Sequence, residues 1–574
     1  MFGSDLTGQE AKWTVLQLVL LLVPVIGVTV VERNLPCGRV SGTSSQNVNS
    51  FLGIPYAEPP QRFQKPLPVK DCSSSGKTTG PSCFQKPIPG IIMSEDCLHL
   101  NIYTPTLSSS ESPSLLPVAV YLHGGSLVEG SSTAIQAGYG GPSTLPSLKN
   151  SIVSISLNYR LGVLGFLALE GMTGNYGFLD VVQALKWIQT NVEHFGGDPN
   201  KVTVYGQSSG GSLVFALMTS PYATGLFQRA ISMSGSPRLN STLQEASKYW
   251  HPQLFNGLQS TACSKNQTIS CLLQLAPSTL TLAQPPNWDP SNGWSARVFW
   301  DSYSYAPLLV IDGDVLPSDY RSPLSESHPK QKKTPLNSQV PLIIGVTREE
   351  IDFAPGNDVR NMSFSDVATL FDTTITNSTN ATPFVQDILQ SYSLSTNPAS
   401  TLIPVQGRNA TSELIFSDFI SDATMLCGTY VLADEWSKIS SNIYMYTVSQ
   451  RPGNPFCALS SFQKHAYCPM YSFHAIDMFA MFDWLPTFLT PGHAVLYNTT
   501  SADVAFTSLI RERLVDAFMV DGIVPAWSKY TANGSSNNVA VLNVDNERML
   551  EGWRKEQCTI FMKHGYYDTK VWVN

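Results

Sequence analysis

The sequence predicts an α/β fold on a large, mostly parallel and deeply buried sheet, and two observations predict it. First, short runs of β-prone apolar residues recur along the chain at Val118–Leu122, Val202–Tyr205, Val340–Val346 and Ile443–Val448. Each is strand-sized and apolar at successive positions, as strands covered by helices on both faces are. Second, the run at Val202 passes through Gly206-Gln-Ser-Ser-Gly210 straight into the apolar, helix-like Gly211–Leu217. That is a strand, a tight turn and a helix with a serine at the apex. Glycines two before and two after Ser208 are expected to permit a sharp, strained turn that lifts its hydroxyl above the sheet. The helix N-terminus beneath offers free N–H groups and the positive end of a dipole to a developing anion.

Such a nucleophile elbow fixes where the other chemistry of an α/β-hydrolase would lie: an oxyanion loop before it, then an acid and a histidine after it. Upstream, the strand Val118–Leu122 runs into His123-Gly-Gly-Ser126, where small residues allow backbone N–H groups to approach a substrate carbonyl. Read alone, this is equally an ordinary glycine turn. Downstream, Val340–Val346 ends in Thr347-Arg-Glu-Glu350, and ligand-facing groups gather at the carboxyl ends of strands in such sheets. An acidic dipeptide is otherwise a solvated surface pair. The histidines beyond it are His465, His474, His493 and His564; His474 sits in the mostly apolar Tyr471–Ala480, where an imidazole can stay neutral and accept a serine proton. Without the other parts it reads as a packed core histidine.

With these residues in order, the chain resembles the type-B carboxylesterases, the family of carboxylesterases, cholinesterases, lipases and the non-catalytic neuroligins. Phe51-Leu-Gly-Ile-Pro-Tyr-Ala-Glu-Pro-Pro60, Ser94-Glu-Asp-Cys-Leu-His-Leu-Asn-Ile102, Asn158-Tyr-Arg-Leu-Gly162 and Gly174–Asp180 carry the likeness into Phe195–Thr203 and the elbow. The resemblance implies a single extended α/β-hydrolase domain, here residues 30–565 with a short tail at 566–574. It implies Ser208 as nucleophile, Glu350 as acid and His474 as base. It also implies Gly125, Ser126 and Ser209 as oxyanion donors, with Ser234 hydrogen-bonding the acid and Gln207 beside the nucleophile. No metal or organic cofactor is implied.

Three positions depart from the family pattern. Ser126 stands where the third oxyanion glycine is expected, Gln207 where glutamate usually precedes the nucleophile, and Ile351 where glycine follows the acid. A backbone N–H survives Gly→Ser, so the oxyanion hole is expected to be intact but crowded. Gln207 removes a negative charge that faces cationic substrates in cholinesterases. The loop between Cys83 and Cys97 is short and lacks a tryptophan for cation–π contact. Neutral esters, small or lipid-like, are therefore the expected substrates.

With 43% hydrophobic residues and only 14% charged, the 574-residue chain can bury a large core. A net charge of −8 without a basic run argues against nucleic acid as a partner. Ser/Thr/Asn-rich patches at 107–114, 374–382 and 532–538 read as surface loops, and 322–338 as an exposed connection. Trp13–Val31 is almost wholly apolar and reads as a cleaved secretory signal ending near residue 29. The alternative is an uncleaved anchor, the only route to a membrane in this reading. Ten cysteines suit an oxidising, secreted setting. The family implies Cys83–Cys97, Cys263–Cys271 and Cys427–Cys558, leaving Cys37, Cys72, Cys457 and Cys468 as the remainder. Eight Asn-x-Ser/Thr sequons (Asn240, Asn266, Asn361, Asn377, Asn380, Asn409, Asn498 and Asn533) fit a glycoprotein. The expected function is a secreted serine esterase acting through an acyl-enzyme. The alternative is a neuroligin-like adhesion or binding protein on the same fold, which Ser126 fits better.

Overall fold

The computed structural model describes residues 29–45, 47–73, 75–87, 90–106, 114–133, 145, 152–235, 241–284, 308–317, 337–353, 363–379, 382–392, 411–455, 470–483, 497–523, 527–532 and 537–564. The N-terminal apolar segment before Thr29, the connection 322–336, Cys457 and Cys468, the C-terminal tail and six of the eight sequons (all but Asn266 and Asn498) lie outside what can be described, or have side chains that do.

The strands in chain order are β1 (Thr29–Leu35), β2 (Gly38–Ser45), β3 (Val48–Pro55), β4 (Ser82–Cys83), β5 (Met93–Ser94), β6 (His99–Pro105) and β7 (Leu116–Leu122). They continue with β8 (Val153–Leu157), β9 (Gly197–Gln207), β10 (Arg229–Met233), β11 (Leu342–Thr347), β12 (Ile443–Val448), β13 (Asn538–Leu542) and β14 (Arg548–Glu551). Twelve of them form one sheet in the order β1-β2-β3-β6-β8-β7-β9-β10-β11-β12-β13-β14, while β4 and β5 pair separately. Pairing is parallel from β8 across to β13 and antiparallel at both margins.

The register explains why distant segments share one edge. Leu122 of β7 pairs with Gly206 of β9, Gln207 with Met233 of β10, Met233 with Gly345 of β11, and Thr347 with Val448 of β12. The chain that leaves each of these five strands therefore emerges at the same carboxyl edge. Because β7 lies between β8 and β9, the winding direction reverses there, and the crevice of an open α/β sheet forms at such a reversal.

Alternation along the buried strands sorts side chains to two cores. Val118, Val120, Leu122, Val202, Val204, Leu342 and Ile344 face one cluster, and Ala119, Tyr121, Tyr205 and Ile343 face the other. The first is covered by helices α1 (Tyr176–Asn191), α2 (Ser209–Thr219) and α3 (Cys427–Ser437), through residues such as Leu185, Leu213 and Trp436. The second is covered by α4 (Ile476–Met481) and α5 (Ser501–Ile510), through Met478, Phe479 and Phe506.

One expected loop is instead helical. The Ser/Thr/Asn-rich patch at 374–382 lies mostly inside the helix Phe364–Thr379. That helix is started by reciprocal hydrogen bonds, Ser363 N–H to Asp366 Oδ2 at 2.7 Å and Asp366 N–H to Ser363 Oγ at 3.2 Å, and it buries Val367, Ala368 and Phe371. Once nucleated and anchored, a helix carries poor formers along with it.

Four disulfides are present among the described residues: Cys83–Cys97, Cys263–Cys271, Cys427–Cys558 and Cys37–Cys72. No described helix is long and apolar enough to cross a membrane.

Candidate active site

Ser208 occupies the turn between β9 and α2 with φ 60° and ψ −131°, outside the ordinary regions for an L-residue. The strain sits on the serine, not on the flanking glycines, neither of which is left-handed. Their role is close approach. A Cβ on Gly206 would lie 2.4 Å from the Gly210 carbonyl carbon, and one on Gly210 would lie 2.1 Å from the Leu122 oxygen. The turn is pinned by the Ser208 N–H donating to Met233 O at 2.8 Å.

The acid and histidine meet at the same edge. Glu350 opens a 3-10 turn just after β11 and is 1% exposed. Its Oε1 accepts from Ser234 Oγ and from the Thr347 N–H, each at 2.7 Å, and its Oε2 lies 2.5 Å from His474 Nδ1. A proton on Nδ1 leaves the Nε2 lone pair as the acceptor. The group that meets Nε2 is the side-chain nitrogen of Gln207, at 2.9 Å. Among the described residues no hydrogen bond joins Ser208 Oγ to His474.

The oxyanion loop follows β7. Gly125, Ser126 and Leu127 are all left-handed, with φ 112°, 55° and 59°. The Leu127 N–H donates to Ser209 Oγ at 3.0 Å, which ties the loop to the elbow. Among the described residues the N–H groups of Gly125, Ser126 and Ser209 have no protein acceptor, as donors awaiting an anion would. Gly124 is needed for contact: a Cβ there would stand 2.8 Å from Gln207 O and 3.0 Å from Ser208 Cβ.

Residues 29–560 match the carboxylesterase family. The chain belongs to that family. Carboxylesterase 3B of Mus musculus is 39% identical over 301 residues, covering 46% of this chain and 49% of the relative. Carboxylesterase 1E of Mus musculus is 35% identical over 338 residues, covering 53% and 55%. The chain thus spans about half the length of these curated relatives. Among solved structures, a PNB esterase superposes with a TM-score of 0.67 over 92% of this chain and 99% of its own, at 23% identity. That likeness speaks to the fold.

Within this carboxylesterase-family site, the structure resolves two of the three departures. Ile351 falls inside the 3-10 turn Glu350–Phe353, where φ is negative and glycine is not required. Ser126 does carry strain, since a left-handed backbone costs an L-residue about 1–2 kcal/mol.

Sequence reasoning missed the zipper that holds the histidine segment. Glu349 is fully buried, not a solvated neighbour of the acid. Its Oε2 accepts from the Ser472 N–H at 3.1 Å, and its own N–H donates to Ser472 O at 3.2 Å. Asp352 Oδ2 accepts from the Met470 and Tyr471 N–H groups at 2.8 Å each. Arg348 bridges Glu349 at 3.3 Å and Asp418 at 3.2 Å, and Asp418 also meets Arg554 at 3.2 Å. The spacing of three acids over Glu349–Asp352 was visible, but not which backbone amides they would face.

Two buried groups flank the site. Burial pushes the Asp477 carboxyl up to about 6, despite the Tyr446 O–H donated to it at 2.6 Å. Burial likewise pushes His123 down to about 4, so it is neutral at physiological pH, stacked on Tyr159 at 4.3 Å. No group of three or more His, Cys, Asp or Glu among the described residues is arranged to hold a metal ion.

Proposed function

We propose that this protein is a secreted serine esterase that hydrolyses uncharged carboxylic esters. Ser208 Oγ attacks the ester carbonyl while His474 Nε2 takes its proton and Glu350 holds the imidazole through Nδ1. The carbonyl oxygen becomes an anion held by the amides of Gly125, Ser126 and Ser209. His474 returns the proton to the departing alcohol, and a water activated by His474 then releases the acid from Ser208. The observation that carries this reading is the 2.5 Å contact of Glu350 with His474 Nδ1, at the edge where a strained serine faces unengaged amides. Gln207 and the short Cys83–Cys97 loop support uncharged substrates, and the disulfides support a secretory route.

The test is turnover of p-nitrophenyl esters of increasing chain length by the purified protein. Hydrolysis that Ser208→Ala abolishes supports the reading. Serine at position 126, where the family pattern has glycine, favours a second one, a non-catalytic binding protein, and folded protein with no ester turnover at any chain length would select it.

A further inference from the structure

In the resting arrangement the nucleophile does not hold the base; its neighbour does. Glu350 takes the Nδ1 side of His474, so Nε2 presents a lone pair, and an amide N–H of Gln207 is directed at it from 2.9 Å. The Gln207 side chain is fully buried, and its Oε1 has no partner among the described residues. A Cβ on Gly124 would stand 3.2 Å from that oxygen, so it lies against the oxyanion loop. An orphaned buried carbonyl is costly, and this one lies in the side chain of the residue next to Ser208. The same amide is suited to both states of the base. Its N–H serves a neutral Nε2, whereas its unused Oε1 could accept from an Nε2–H after a half-turn about the last side-chain torsion.

We propose that Gln207 is a two-state positioning residue. Its N–H caps Nε2 at rest, yields that lone pair to the Ser208 hydroxyl for acylation, and its Oε1 turns to accept from the imidazolium. In that step the Gln207–Nε2 hydrogen bond breaks, the Ser208 proton moves to Nε2, and the Oγ–carbon bond forms as the carbonyl electron pair moves to oxygen. The proposal rests on Ser208 and His474 acting as nucleophile and base.

A glutamate here, which the family pattern favours, can only accept, so it would favour the imidazolium. The titratable and charged groups around His474 include Arg348, Glu349, Glu350 and Asp352 of the acid segment, Asp477 of α4, Tyr446 of β12, and, beyond Gln207, His123 and Glu129 of the oxyanion loop. All stay unchanged in the test. The experiment measures the rate of fluorophosphonate labelling against pH for wild type, Gln207→Glu and Gln207→Met, with Ser208→Ala as the blank. The expected result is that Gln207→Glu moves the acidic limb upward by about one pH unit or more. Gln207→Met, which removes the competitor, labels roughly fivefold faster on the alkaline plateau, about the weight of one hydrogen bond. Variants that label at the wild-type rate with an unmoved limb overturn the proposal and leave the esterase reading intact. Slower labelling by both with an unmoved limb means a structural role and also overturns it. Wild type that never labels removes the esterase reading beneath it. If Gln207→Met fails to fold, the limb of the isosteric Gln207→Glu decides alone.

Discussion

In the proposed mechanism, strain and proton placement at single residues carry most of the chemistry. Ser126 holds a left-handed backbone that glycine would adopt freely. Ser126→Gly relieves about 1–2 kcal/mol of strain against about 0.4–1 kcal/mol lost through a freer unfolded chain. Thermal unfolding should show a net gain of up to about 1.6 kcal/mol, with ester turnover equal or higher. A large loss of turnover would mean that the serine hydroxyl itself contacts substrate. Glu350 and Glu349 are adjacent but do different things. Glu350→Gln leaves Nδ1 facing an amide and should lower kcat by orders of magnitude with little change in KM. Glu349→Gln loosens the contact with Ser472 and its ion pair with Arg348, so it should cost stability first and activity less. Kinetics of the pair with melting curves separates them, and the reverse pattern would mean that Glu349 is the acid. That Ser208, Glu350 and His474 would share one edge was legible in sequence, because motif order and strand ends narrow the choice. The contact of Gln207 with Nε2 could not, since it depends on a rotamer reaching across the sheet edge from β9.

At the scale of elements, the site is assembled by parallel register and by loops zipped to one another. The carboxyl ends of β7, β9, β11 and β12 were legible as apolar runs followed by small or polar residues, whereas β10, a short run opening on Arg229, was not read as a strand. The long path from β12 to His474 was not, because its anchors are side-chain-to-backbone hydrogen bonds from Glu349 and Asp352, which leave no periodic signal. The helix at 364–379 was hidden for a related reason: composition described its polar end, while capping and three buried residues decided it. Helix α4 carries Asp477 into a fully buried position, with its carboxyl raised from 3.8 to about 6. A raised carboxyl favours the folded state while protonated, so that contribution is complete below about pH 4 and is lost as pH rises through 6. Asp477→Asn should therefore unfold at higher temperature than wild type at pH 7, by a difference on the order of 1–3 kcal/mol. The gap should close at pH 4. An equal difference at both pH values would show that the carboxyl does not titrate in that range.

Over the whole molecule, one twelve-stranded sheet joins segments from Thr29 to Glu551, and its family was legible from several ordered motifs where no single one sufficed. Buried ion pairs and a disulfide tie the last described helix, Lys555–Lys563, to this frame. Arg554 pairs with Asp418 and Asp422, and Cys558 pairs with Cys427 across a separation of 131 residues. Closing so long a loop stabilises by about 5 kcal/mol in the chain-entropy account. Replacing both cysteines by alanine should lower the unfolding temperature sharply while leaving the active-site geometry of folded molecules intact. Loss of ester turnover in variant that remains folded would instead show that the C-terminal helix shapes the site. Such pairings follow family likeness in sequence, whereas the Arg348–Asp418–Arg554 network joins residues far apart in the chain and needed coordinates.

Activation of Ser208 is tested by mass-spectrometric mapping of the adduct after the purified protein is treated with a fluorophosphonate. One modified peptide is expected, spanning the elbow and carrying the adduct on Ser208, and none in Ser208→Ala. An adduct on another residue, or folded wild-type protein that takes up no probe, would contradict that activation.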